Sequence, residues 1–97
     1  MHNFSYEYYR DHQLLPLCWK SINDCCLPHF HSSIEIVYVA SGEINANLNG
    51  QFYLVKGKNF LLVPSYTIHA YTTEVSSKSY IFTIPIDAIS SYKSIFY

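Results

Sequence analysis

A chain of 97 residues with 49% apolar side chains and a formal charge of −1 has the size and composition of one small domain around one core. Its six basic residues (Arg10, Lys20, Lys56, Lys58, Lys78, Lys93) are scattered, so the segment lacks the electrostatic footprint of a DNA-binding surface. No apolar run approaches the ~20 residues of a membrane span, and MHNFSYEYYRDH has neither the basic nor the apolar region of a signal peptide.

Residues 1–13, with the run FSYEYYR, read as an N-terminal arm or first strand. A barrel of short β segments is expected over residues 14–86. The odd cysteine set Cys18, Cys25 and Cys26 lacks the spacing of a thiolate zinc site, argues against disulfides and suits a reducing cytoplasm. Residues 34–40 (IEIVYVA) form a β-branched strand that ends at Ser41-Gly42. Residues 44–48 alternate, with Ile44, Ala46 and Leu48 on one face and Asn45 and Asn47 on the other. Asn49-Gly50 is a hairpin signal, because both turn positions need positive φ, and residues 51–55 return. Further strands are expected over residues 60–63, 68–73 and 79–86, separated by turns at Gly57-Lys58-Asn59 and Ser76-Ser77-Lys78. Asp87 is an N-cap for a helix carrying Ile89, Tyr92 and Phe96 at helical spacing. That pattern (residues 87–97) is still running at Tyr97, which predicts a helix cut short and a chain that is a fragment of a longer protein. The fold class is therefore all-β, an antiparallel sandwich or barrel.

HFHSSIE, residues 29–35, carries the chemistry. Strand alternation puts His29, His31, Glu35, Val37 and Val39 on one face and Phe30, Ile34, Ile36 and Tyr38 on the other, unless Ser32-Ser33 bends the chain. The second face is apolar and suits packing against another sheet or subunit. His69 is a fourth polar candidate. Three imidazoles and a carboxylate suit a borderline divalent cation such as zinc, nickel, iron(II) or manganese. They equally suit direct contact with an effector, or a hydrogen-bonded polar cluster inside the barrel. Tyr38, Phe52, Tyr53, Tyr66, Tyr71, Tyr80 and Phe82 are candidates for lining a pocket, with ordinary core packing as the alternative. No serine–histidine–acid arrangement is legible, and no residue is assigned a catalytic role.

His29-x-His31-x3-Glu35-x6-Gly42 matches the core of the first cupin motif, and Pro64-x4-His69, preceded by Gly57, resembles the second. The resemblance covers roughly residues 23–85 and implies a small jelly-roll β-barrel. In metal-binding cupins the matching positions are the ligands, which implies His29, His31, Glu35 and His69 here. The chain departs from the pattern at Asn23 and Tyr66, where glycines are expected, and at Thr73, where asparagine is expected; Gly57 is displaced by one residue.

The longer run HFHSSIEIVYVASGEINANLNGQFYLVKGKNFLLVPSYTIHAY resembles the N-terminal sensing domain of AraC-type transcriptional regulators. That resemblance implies an effector-binding domain that passes through IPIDAISSYKSIFY into the start of a linker helix (residues 87–97), with the DNA-binding helix-turn-helix domain absent from this chain. It further implies a homodimer, a cytoplasmic location and a small effector such as a sugar. The expected effector contacts are His29, His31, Glu35, His69, Tyr38, Tyr53 and Tyr71. The alternative is a stand-alone metal-dependent cupin enzyme of isomerase or dioxygenase type.

Overall fold

Strand β4 (Ile34–Leu48) organises the molecule. The structure is a computed structural model that describes residues 5–6 and 16–85. The expected linker helix and most of the N-terminal arm lie outside the described residues. The other strands are β1 (Ser5–Tyr6), β2 (Leu17–Ile22), β3 (Cys26–Phe30), β5 (Gln51–Lys56), β6 (Asn59–Val63), β7 (His69–Thr72) and β8 (Ser77–Ile84). The two strands expected at residues 34–40 and 44–48 are thus one element.

The first half of β4 pairs with β6 and β8, and β8 pairs with β2. Its second half pairs with β5 and β7, and β7 continues to β3. One long strand therefore belongs to both layers of a curled sheet. Every pairing is antiparallel except that of β1, which runs parallel to β3 at His29 and Phe30. The inward face of β4 changes parity between its halves. Glu35, Val37 and Val39 are buried before the corner, Ile44 and Ala46 after it. The switch falls where the β4–β8 register shifts, between Val39 and Ser41, and where Gly42 takes φ +73°. A Cβ on Gly42 would lie 2.0 Å from the Ser76 carbonyl oxygen, so the corner requires glycine twice over.

The core between the layers is Val37, Val39, Ile44, Ala46, Val55, Val63, Tyr71 and Ile81. The Asn49-Gly50 turn has the two positive φ values expected, 51° and 88°. Its Asn49 side chain accepts the Ile68 N–H at 3.0 Å and so ties the hairpin to the segment entering β7. Asn23 (φ 52°) and Tyr66 (φ 60°) keep a left-handed backbone at the two positions where the cupin motif places glycine. Asn23 and Thr73 also join two loops. The Asn23 side chain accepts the Ser77 N–H at 2.9 Å, and Thr73 donates to the Asp24 carbonyl at 2.8 Å.

The outer face of the first layer is apolar, as the alternation implied. Phe60 and Leu62 are exposed there, and Tyr38 stacks on Phe60 with centroids 4.8 Å apart. Among the described residues no helix is long and apolar enough to cross a membrane.

Candidate functional site

Four segments deliver the polar side chains to one interior spot. His29 is the last residue but one of β3, His31 follows that strand, Glu35 is the second residue of β4, and His69 opens β7 as the register partner of His29. Ser32-Ser33 does bend the chain, yet His31 still turns inward, because its Nδ1 lies 3.0 Å from the Ser33 carbonyl. The ring centroids of His29 and His69 are 4.1 Å apart, those of His31 and His69 5.0 Å. His29 is half-buried, whereas His31 and His69 are each 1% exposed.

Every Nδ1 faces a backbone carbonyl: His29 to Leu27 at 2.9 Å, His31 to Ser33 at 3.0 Å and His69 to Thr67 at 2.7 Å. A carbonyl only accepts, so each Nδ1 carries a proton, and a ring that is neutral then has its lone pair at Nε2. His31 Nε2 lies 3.4 Å from Glu35 Oε1, and His69 Nε2 lies 3.5 Å from Glu35 Oε2. Neither Nε2 has a hydrogen-bond partner although both are buried. Lone pairs aimed at a carboxylate repel it unless a proton or a metal ion lies between.

Burial opposes the charge on Glu35. Attraction to the His31 and His69 rings when they carry a proton towards it, together with the Tyr71 hydroxyl, outweighs burial and holds the carboxyl below its ordinary value. Burial pushes His69 below the ordinary imidazole value, against the pull of Glu35 and the Thr67 carbonyl, so this ring is neutral at pH 7. Burial and then the field of Glu35 push the Tyr71 hydroxyl well up, which keeps it protonated as the donor to Glu35 Oε2.

The donor set fits a borderline divalent cation. One ligand atom each from His29, His31 and His69 lies within 4.8 Å of the others. Nitrogens bound to one tetrahedral zinc are about 3.3 Å apart, within reach of small side-chain rotations. Glu35, expected as a fourth ligand, stands against two of these rings with one oxygen taken by Tyr71.

Two expected contacts are not in the cluster. Tyr38 has the opposite parity to Glu35 and Val37 and faces outward onto Phe60. Tyr53 is 43% exposed on β5 and donates its hydroxyl to Gln51 at 2.8 Å. One residue was missed. Asp24 sits in the β2–β3 turn with a buried Oδ2 that has no partner. Burial and then Glu35 raise its carboxyl above the ordinary value, against hydrogen bonds from the Cys25 N–H and the Ser21 hydroxyl. A lone aspartate after asparagine reads as a turn residue, so its sequence position gave no sign of this.

The chain matches the family model of the AraC-like ligand binding domain over residues 14–93. No curated protein matches it in sequence. Among solved structures it is similar to an RmlC-like cupin from Shewanella frigidimarina (TM-score 0.69, 19% identity, 73% of this chain and 67% of that one). It is also similar to a predicted oxalate decarboxylase from Thermotoga maritima (TM-score 0.65, 19% identity, 71% and 65%). A third is the polyketide cyclase RemF from Streptomyces resistomycificus (TM-score 0.62, 20% identity, 71% and 54%). The chain spans about half to two thirds of the length of these structures. Such identities establish the fold alone, that of a cupin. With the family model covering most of its length, the chain belongs to the AraC-like ligand binding domain family.

Proposed function

We propose that this domain senses a small molecule at the His29, His31, His69 and Glu35 cluster on behalf of a DNA-binding helix-turn-helix domain. The observation that carries the reading is the pair of buried, unpartnered Nε2 atoms facing a carboxylate inside a ligand-binding family fold. His29, His31 and His69 would hold a zinc, nickel, iron(II) or manganese ion, with Glu35 beside them. Such an ion, when bound, supplies a positive centre that an effector oxygen can reach. The half-buried His29 marks the side from which the effector approaches, and β1 lies along the same edge of β3. A hydroxylated molecule such as a sugar suits the imidazoles and carboxylate as hydrogen-bond partners.

Sensing requires that the effector bind one conformation more tightly than another, so that its binding shifts the geometry of a dimer on DNA. The outer face carrying Phe60, Leu62 and Phe82 (68%, 58% and 37% exposed) is the surface through which two copies would pair in the cytoplasm. A metal-dependent cupin enzyme is the second reading, supported by the same histidines and by structural neighbours whose names describe a cyclase and a decarboxylase. One screen separates the two. Melting temperature is followed against a small-molecule library while magnetic resonance follows the fate of each compound. A compound that raises Tm and is recovered unchanged supports the sensor. Conversion of the compound supports the enzyme and refutes the sensor.

A further inference from the structure

β5 gives one side chain, Val55, to the core. Among the described residues it pairs with β4 alone, so its other side is an edge of the second layer. Five of its six residues are exposed, with Phe52, Tyr53 and Leu54 at 79%, 43% and 51%. Sheet edges are ordinarily blunted by charge, proline or a bulge. Residues 51–55 contain no charge and no proline, and the register with β4 runs unbroken from Leu48 and Gln51 to Glu43 and Lys56. The one charge on the strand, Lys56, stands at its far end opposite Glu43.

The hairpin decides which backbone groups look outward. Leu48 and Gln51 flank the two-residue Asn49-Gly50 turn, and residues so placed exchange hydrogen bonds with each other. Alternation then commits the N–H and C=O of Gln51, Tyr53 and Val55 to β4 and turns those of Phe52 and Leu54 away from it. The Lys56 carbonyl, next in the outward series, already accepts the Asn59 side-chain amide at 3.1 Å.

This pattern is its own complement. A second copy of β5, antiparallel and related by a two-fold axis through Tyr53, sets Phe52 opposite Leu54 and Leu54 opposite Phe52. Each outward N–H then meets an outward C=O of the other copy. Phe52 and Leu54 share a face, because both alternate with the buried Val55, so the same register packs these exposed apolar side chains on each other. Lys56 falls opposite Gly50 and meets no like charge. An axis through Leu54 would instead set Phe52 against Lys56 and call on the carbonyl that Asn59 holds. A foreign strand could use the same donors and acceptors but would not require this symmetry.

We infer that β5 is a self-association edge, through which the second layers of two copies join into one continuous antiparallel sheet. The contact is independent of the sensor reading and uses residues other than the face of Phe60, Leu62 and Phe82.

Amide exchange of the 97-residue chain, followed residue by residue by magnetic resonance with sedimentation on the same samples, tests this. The Phe52 and Leu54 N–H groups should exchange roughly tenfold slower or more as concentration rises and copies associate. Leu54→Pro removes one outward donor and leaves the ladder to β4 intact. It should fold and return the Phe52 amide to fast exchange at every concentration. Leu54→Lys should do the same through charge, which keeps the test usable if the proline variant does not fold. Leu62→Lys, on the outer face of the first layer, should leave the Phe52 protection in place. Wild-type amides that stay fast at every concentration would leave the edge to a foreign strand and overturn the inference. Protection that survives both Leu54 variants, or that is lost equally in Leu62→Lys, would overturn it too.

Discussion

Replacing Tyr71 by Phe removes one hydroxyl from the centre of the site and leaves the ring to pack in the core. The hydroxyl donates to Glu35 Oε2, and the two residues are 2% and 3% exposed, so no solvent replaces the lost donor. A hydrogen bond to a charged group contributes about 1.5–3 kcal/mol, and full burial puts this one at about 2–3 kcal/mol. For a domain of this size each ~1 kcal/mol moves Tm by roughly 4–8 °C, so Tyr71→Phe should melt roughly 10–20 °C lower. Urea unfolding in chelator, with the metal-free proteins compared side by side, gives the free energy directly. The pH dependence has a definite sign. Glu35 is held below its ordinary value of 4.5, so the stability it contributes is present above pH 4.5 and fades as pH falls through the lowered value. Tyr71 is one cause of the lowering, so wild type and variant should differ most above pH 4.5 and converge in acid. A variant within about 0.5 kcal/mol of wild type at neutral pH, or a gap that widens in acid, would refute the reasoning.

Further substitutions probe the same account. Gly42→Ala should cost more than about 3 kcal/mol, because a positive φ and a 2.0 Å approach to the Ser76 carbonyl both oppose it. Gly50→Ala, with positive φ but open space, should cost only about 1 kcal/mol, and equal losses in the two melts would contradict the corner geometry. Tyr66→Gly should raise stability by about 0.5–1 kcal/mol. Tyr66 is 61% exposed at φ 60°, so relief of strain exceeds the packing lost, and a destabilised variant in urea would show that its ring has a partner.

Much of the barrel was legible because strand alternation and turn chemistry are local. Asn49-Gly50 announced its own turn, and Ile44, Ala46 and Leu48 announced their shared face. The continuity of β4 was not legible, since Ser41-Gly42 looks like a turn and only the partner strands show that it is a corner inside one strand. Asn23 and Tyr66 looked like departures from the motif. Their side chains changed while their backbone kept the left-handed conformation that glycine usually supplies. The site was legible at His29, His31 and Glu35 by spacing, but His69 and Tyr71 reach it only through the pairing of β7 with β3 and β4. Tyr38 went the other way. Its parity already opposed that of Glu35, and the structure places it on the outer face. Asp24 depends wholly on the loop contacts of Asn23, Thr73 and Ser77, which no local pattern reveals.

The central claim is that the buried imidazole lone pairs around Glu35 await a cation. The most direct measurement is metal-to-protein stoichiometry by plasma mass spectrometry, after equilibration with zinc, nickel, iron(II) or manganese and desalting, for wild type and His31→Ala. The account predicts close to one ion per wild-type chain and near-complete loss in a variant that still folds. A wild-type chain that retains none of the four metals, or a variant that retains as much as wild type, would contradict it.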